Sequence, residues 1–359
     1  MTDIYQRLRN KLHDLATGFP ASESGVEIRL LKKLFSEKDA ALYLRLPPLL
    51  QTPEEVAKAH HLDLEKTADH MADMAKRGLL FRVTRDHIVK YTVAPYVVGI
   101  YEFQLNSVDE ELAADMEEYY ESVFGKTIQS FSTPVMRTIP INREIALKWP
   151  VAPYEDVVRI LEDQKKIAVA PCICRKTAKL AGKGCDKPME ACMLFGSHAD
   201  YYVENGMGRY IELDEAKRIA AANDEAGLVM QPFNSQKVGG MCSCCGDCCG
   251  ILRSLKQQPS PAGAVQSNYL AKVDEALCSG CETCIDRCQM EAIDMVEGTA
   301  VVNPDRCIGC GLCVTTCPTE AVELLKKPED RQYLPPKTGA ETYIRIAMER
   351  GVNPIEKQY

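Results

Sequence analysis

Apolar positions recur at helical spacing through the first third of the chain, and short apolar runs between cysteine-rich loops follow. Ile4, Leu8, Leu12 and Leu15 share one stripe between Met1 and Leu15, which predicts an amphipathic helix. Val26, Leu30, Leu31 and Leu34 mark a second helix and Ala40 to Leu46 a third. Thr52-Pro53-Glu54-Glu55 combines a capping box with proline at the first helical position, so a short helix runs from Pro53 to near His60. Asp63 caps a longer one with Leu64, Ala68, Met71 and Ala75 on one face, closed by Gly78. Leu79 to Val83 and Ile88 to Val93, joined by Thr84 to His87, predict a β-hairpin.

That order of helices and hairpin resembles the winged-helix family, which implies that Asp63 to Arg77 stands in the place of a recognition helix. A helix that reads DNA presents Arg, Lys, Asn or Gln. This one carries Asp63, Glu65, Asp69 and Asp73 against Lys66, Lys76 and Arg77, which argues against nucleic acid as a partner and for packing against protein. Arg82, Arg85, His87 and Lys90 in the hairpin weigh the other way.

Ser107 to Phe124 predicts a helix with Leu112, Met116 and Val123 inward. Its acidic face, Asp109 to Glu121, reads first as a solvated surface and second as a docking surface for a basic redox partner. Phe131 to Pro153, with four prolines, reads as an extended connector.

The next region is dense in cysteine. A helix from Pro153 to Leu161 and a short buried strand, Ile167 to Ala170, lead to Cys172-Ile173-Cys174-Arg175. Cys185 and Cys192 follow on a Gly- and Lys-rich loop, then a helix from Asp214 to Ala226 and a strand from Leu228 to Gln231. Cys242, Cys244, Cys245, Cys248 and Cys249 crowd into one glycine-flanked stretch. These nine cysteines exceed what one four-iron cube can use, and adjacent cysteines point to two different metal centres or leave one thiol free. The simplest allotment gives Cys172, Cys174, Cys185 and Cys192 to one cluster and Cys242, Cys244 or Cys245, Cys248 and Cys249 to another, with exchange between the halves left open. Zinc at one site is an alternative. The two Cys-Cys-Gly units resemble the repeats of heterodisulfide reductase catalytic subunits, which implies a non-cubane catalytic cluster, although here they are nearly adjacent rather than far apart. His198 reads as a core residue, and Arg175 either neutralises cluster charge or is solvated.

Gln257 to Ala264 reads as a linker. Beyond it come Cys278-x2-Cys281-x2-Cys284-x3-Cys288 and Cys307-x2-Cys310-x2-Cys313-x3-Cys317-Pro318. This doubled pattern, over 271–327, resembles the bacterial two-cluster 4Fe-4S ferredoxins. The resemblance implies that Cys278, Cys281, Cys284 and Cys317 hold one cluster and that Cys307, Cys310, Cys313 and Cys288 hold the other. Gln289 stands where that family has proline. Zinc sites pair cysteines as C-x2-C and require no third or fourth at these offsets. Thr338 opens a last helix through Arg350.

With 359 residues, the chain has room for several cores, and its 17 cysteines in metal-ligand spacing, with no signal peptide, imply a reducing cytoplasm. No segment approaches the roughly 18–20 apolar residues of a membrane span. A net charge of −8 argues weakly against nucleic acid. The expected architecture is α+β and multidomain: a winged-helix-like domain (1–100), an acidic helix and connector (101–153), an α/β cysteine-rich Fe-S module (154–256), a two-cluster ferredoxin domain (265–327) and a tail (328–359).

No nucleophile–base pair, dinucleotide fingerprint or phosphate loop is present. The cysteine motifs resemble those of multi-cluster 4Fe-4S binding proteins of anaerobes. The expected function is therefore electron transfer through two ferredoxin clusters and one or two middle clusters, as a subunit of a larger oxidoreductase with a protein redox partner. The alternatives are a redox-sensing transcription regulator and an enzyme with a catalytic middle cluster.

Overall fold

The computed structural model describes residues 3–141 and 151–355, so expectations that fall on residues 1–2, 142–150 and 356–359 lie outside the described residues. Helices α1 (Ile4–Asp14), α2 (Val26–Leu34), α3 (Glu37–Arg45), α4 (Pro53–His60) and α5 (Leu64–Lys76) precede the hairpin of β1 (Leu80–Arg85) and β2 (Ile88–Val93). Their starts are chemically marked. Asp3 accepts a hydrogen bond from the Tyr5 amide, Asp63 accepts one from the Lys66 amide, and Ser36–Asp39 and Thr52–Glu55 form reciprocal capping boxes. The Ser36 box starts α3 ahead of the apolar run that announced it. In the hairpin Arg85 pairs with Ile88, and Asp86 and His87 both take the positive φ of a two-residue turn, so β1 runs on past the expected Val83 while β2 has the expected bounds.

The apolar stripes of these helices meet in one core, with Leu8, Leu12, Phe19, Leu30, Tyr43, Met71 and Met74 fully buried. The same core continues into Ile173, Ala199, Tyr201 and Tyr202 of the cysteine-rich region. The Tyr201 hydroxyl donates to the carbonyls of Ala75 (2.9 Å) and Leu80 (3.0 Å), and Phe81 packs on Tyr201 and Phe103. The surface to which the N-terminal helices and hairpin dock thus belongs to this same chain.

Helix α6 (Glu110–Tyr119) carries the acidic face, and neither expected use of that face describes it fully. Asp115 pairs with Arg29 (2.9 Å) and Lys33 (2.5 Å) of α2, Glu117 with Arg253 (2.8 Å), and Glu121 with Lys183 (2.7 Å). The charge run binds basic side chains brought in from distant parts of the sequence.

After α7 (Val157–Glu162) come β3 (Ile167–Pro171), α8 (Ile173–Leu180), β4 (Glu190–Phe195), α9 (Ser197–Glu204), β5 (Arg209–Ile211), α10 (Leu213–Glu225), β6 (Val229–Pro232), β7 (Gly240–Cys244) and α11 (Gly250–Lys256). The strands form one sheet in the order β5-β3-β4-β7-β6, and every neighbouring pair is antiparallel. The expected α/β module is corrected here to α+β. Glu190 faces Pro171, so β4 enters beside the point where β3 leaves, and the intervening helix and loop never cross back over the sheet as a parallel connection requires. Along one edge, Ile139 donates its amide to Met230 and Arg137 to Pro232, so the described part of the connector lies on the sheet.

The remaining elements are β8 (Tyr269–Val273), α12 (Thr283–Arg287), β9 (Ile293–Val296), β10 (Thr299–Val302), β11 (Val322–Lys326) and α13 (Gly339–Glu349). β8 pairs with β11 and β9 with β10, both antiparallel. The expected linker contains a helical turn, Pro261–Ala264, anchored by the Ala262 amide on the Asp305 carbonyl. The C-terminal helix is clamped on its own chain: Glu349 accepts from the amides of Ser132 and Thr133, Tyr343 donates to the Val98 carbonyl, and Arg350 donates to the Ala16 carbonyl.

Burial alone would raise the Asp39 pKa, but hydrogen bonds from Arg77, His70 and Ser36 outweigh it and hold this carboxyl well below the usual carboxylate range. A depressed native pKa stabilises the fold above the unfolded value, about 4, and the contribution is lost as pH falls below it. Asp39→Asn is expected to cost about 1–2 kcal/mol at neutral pH. The difference from the native chain should shrink below about pH 4, as read by urea denaturation across pH.

Candidate metal centres

In the C-terminal region the two cysteine runs repeat one local geometry. Gly280 and Gly309 each precede the second cysteine of a run, at φ of 69° and 65°. A Cβ on Gly309 would lie 2.2 Å from the Tyr269 carbonyl oxygen, and one on Gly280 would lie 2.6 Å from that of Gly298. Only glycine lets each loop turn this tightly against the neighbouring strand.

Cys278, Cys281, Cys284 and Cys317 line one cavity of about 20 Å³, together with Gly280, Met295 and Ala300. Burial raises the Cys313 thiol, and Cys310, Cys307, Cys288 and Cys284 add to the rise, so Cys313 lies near thiols of both quartets. Backbone amides point at sulfur: Ala300 at Cys278 (3.5 Å), Ala271 at Cys307 (3.5 Å) and Ala292 at Cys288 (3.2 Å). Such donors stabilise thiolate ligands and tune a cluster's potential. Cys310 is pushed up to about 12, first by burial and then by the neighbouring Cys288 and Cys307 thiols. Ionised thiolates in that setting require a cation, and the donor set fits an iron–sulfur cluster.

The sequence signal left the two quartets unequal in one respect that the fold makes plain. Cys281 is exposed, whereas Cys288, Cys307 and Cys310 pack against an apolar cluster containing Cys244, Cys249, Leu252 and Met290. The second quartet therefore faces the middle region. Gln289, in the place of the expected proline, accepts a hydrogen bond from the Gly246 amide at 2.7 Å. Arg287 donates to the carbonyls of Asp224 (2.6 Å) and Glu225 (2.7 Å), completing that seam.

The nine middle cysteines divide otherwise than their order along the chain suggested. Six thiols shift one another's pKa values around a closed circuit, Cys172 to Cys174, Cys249, Cys244, Cys242, Cys192 and back to Cys172, and within it the Cys192 and Cys242 sulfurs are in contact at 3.6 Å. Cys185, Cys245 and Cys248 form a separate trio, with Cys185 Sγ 3.6 Å from each of the other two sulfurs. Cys185 thus leaves its sequence neighbours, and each adjacent pair is split, with Cys244 and Cys249 in the ring and Cys245 and Cys248 in the trio.

The sheet accounts for the ring. Cys192 on β4 stands directly opposite Cys242 on β7, their sulfurs 3.6 Å apart. The period-two alternation of a strand puts Cys244 on the same face as Cys242 and turns Ser243 to the other. Cys172 and Cys249 sit at the N-caps of α8 and α11. Both thiols are held well below the usual thiol value, chiefly by neighbouring thiols: Cys174 and Cys192 for Cys172, and Cys174 and Cys244 for Cys249. The ring borders a cavity of about 90 Å³ whose wall includes Tyr96, Tyr101, Tyr120, Tyr202 and Glu102. Glu102 accepts the Gly99 amide at 2.7 Å, and burial pushes its carboxyl up to about 8.

Arg175 is buried rather than solvated and donates to the carbonyls of Pro188 (2.8 Å) and Ser243 (2.9 Å). Burial opposes its charge, but Cys172, Cys245 and Cys244 outweigh that and raise its pKa. His198 lies among aromatic rings, 4.8 Å from Phe81 and 6.0 Å from Phe233, and Lys176 donates to the Leu105 carbonyl. Sequence reasoning missed Glu102 and the tyrosines of the cavity wall. Tyr96, Tyr101 and Glu102 come from the stretch after the hairpin, Tyr120 from the end of α6 and Tyr202 from α9, and no local pattern ties these to one another or to the cysteines.

These sites define an iron–sulfur protein. A family model described as a 4Fe-4S dicluster domain matches residues 271–324, so the C-terminal region is ferredoxin-like. No curated protein and no solved structure matches the chain. Among the described residues no helix is long and apolar enough to cross a membrane.

Gly309→Ala should abolish occupancy of the second quartet, lowering bound iron by about four per chain. Gly298→Ala, where a Cβ meets open space but φ is 83°, should cost only about 1–2 kcal/mol and leave iron unchanged. Iron analysis and thermal unfolding distinguish the two.

Proposed function

We propose that the chain is an electron-transfer subunit of a larger oxidoreductase, joining a protein redox partner at its ferredoxin-like end to an iron–sulfur centre in the six-thiol ring. When bound, such clusters supply one-electron transfer at potentials set by hydrogen bonding and solvent access. The observation that carries the reading is the apolar cluster in which Cys288, Cys307 and Cys310 meet Cys244 and Cys249. It removes water from the space between the second quartet and the ring, and Gln289 and Arg287 fix the two modules against each other across it. The exposed Cys281 places the first quartet toward solvent, where a partner can approach.

A reading as a DNA-binding regulator finds less support. Arg77 is bound to Asp39 (2.8 Å) and Arg82 to Glu204 (2.6 Å), so two cations that could serve phosphates are engaged within the chain.

Anaerobic iron and sulfide analysis joined to an EPR redox titration tests the proposal. The expected result is iron clearly above the roughly eight per chain that two cubanes need, with a third redox transition. Iron at about eight, with only two transitions, would remove the middle iron centre. Retardation of duplex DNA at physiological salt, with a steep salt slope, would overturn the electron-transfer-only reading.

A further inference from the structure

We propose that Cys185, Cys245 and Cys248 form a mononuclear site for a divalent, thiophilic cation, zinc by its chemistry, distinct from the iron–sulfur centre of the ring. It rests on the proposed function only in taking the ring as a separate iron site.

Three observations carry it. The first is spacing. Zinc binds thiolate at about 2.3 Å in a tetrahedron, so two sulfurs on one ion stand about 3.8 Å apart. Cys185 Sγ lies 3.6 Å from both Cys245 Sγ and Cys248 Sγ, and all three sulfurs lie within 4.8 Å of one another. Sulfurs that ligate different irons of a cube are held farther apart, because an iron–iron edge lies between them. In the ferredoxin-like region no cysteine sulfur makes a hydrogen-bond contact with another, among the described residues. The ring also contains a 3.6 Å pair, but its six thiols exceed the four that one tetrahedral ion accepts.

The second observation is closure. The ring opens on the large cavity, and although Cys245 and Cys248 touch its wall, Cys185 does not line it. Cys185 comes from the loop between α8 and β4 and is half-buried, so the trio draws on two separate segments of the chain.

Charge is the third. Cys245 and Cys248 are buried, and Cys245 acts on Arg175, whose Nε makes no hydrogen bond although the side chain is almost wholly buried. Three gathered thiolates, two of them buried and sharing the Arg175 guanidinium with Cys172 and Cys244, leave net negative charge away from water, which is unfavourable. A divalent cation offsets it. No fourth His, Cys, Asp or Glu joins the trio among the described residues, so the tetrahedron keeps one position for water or an external thiol.

The test uses the full chain, purified anaerobically and supplied with zinc or cobalt. About one zinc per chain is expected in addition to iron, and cobalt should give the intense visible bands of a tetrahedral thiolate site. Cys185→Ser should lose the zinc and the cobalt bands while iron content and the EPR signals stay as in the native protein. Cys185→His should recover zinc, because imidazole is an equivalent ligand. Should Cys185→Ser fail to fold, the zinc count and cobalt spectrum of the native chain decide alone. Absence of zinc together with absence of cobalt bands overturns the site. A fall in iron on Cys185→Ser overturns it too, since the trio would then belong to the iron centre. Low iron with zinc retained would defeat the electron-transfer reading and leave this one standing.

Discussion

Everything in the middle of the molecule depends on one cross-strand register, Cys192 opposite Cys242. A strand's side chains alternate between faces, so a slip of one residue would turn Cys242 and Cys244 away from Cys192 and disperse the ring. The register is held by pairing on both sides of β7, with Met193 against Met241 and Gln231 against Cys242. It is also held by the apolar core beneath, where Met193, Met230 and Met241 are almost fully buried. A scaffold that fixes thiols before metal arrives lowers the ordering cost of binding.

The same economy explains how the modules are joined. The cysteine-rich sheet sits between the N-terminal helices and the ferredoxin-like region, sharing an apolar core with the first and a smaller apolar cluster with the second. Polar contacts at both seams run largely from side chain to backbone: Tyr201 to Ala75 and Leu80 on one side, Arg287 to Asp224 and Glu225 on the other. Bonds of this kind specify position, because a backbone carbonyl has a fixed place and no rotamers. Ion pairs between side chains add to this, from Asp115 and Glu117 of α6 and from Glu121 just beyond it, to Arg29, Lys33, Arg253 and Lys183.

Much of this was legible from local signals. Capping at Thr52 and Asp63, the helical stripes of the first third, the hairpin and the doubled cysteine spacing all act within a few residues, and the structure has elements in those places. The antiparallel course of the middle sheet was not legible, because β4 and β7 carry cysteines and glycines in place of an alternating apolar signal. Cys192, expected on a Gly- and Lys-rich loop, lies instead in β4. Nor was the fate of the acidic helix, since Arg253 lies more than a hundred residues from the carboxylates it binds.

By itself the sequence determined the ligand chemistry of the C-terminal region, because cluster loops are local and their spacing is their geometry. It also determined that nine further thiols were too many for one cube. Only the tertiary structure decided how those nine divide into a ring of six and a trio, how Arg175 comes to be buried beside them, and which ferredoxin quartet faces inward. The physical reason is that these outcomes are set by strand register and by packing between segments far apart in the chain, and neither leaves a periodic trace in any single stretch of it.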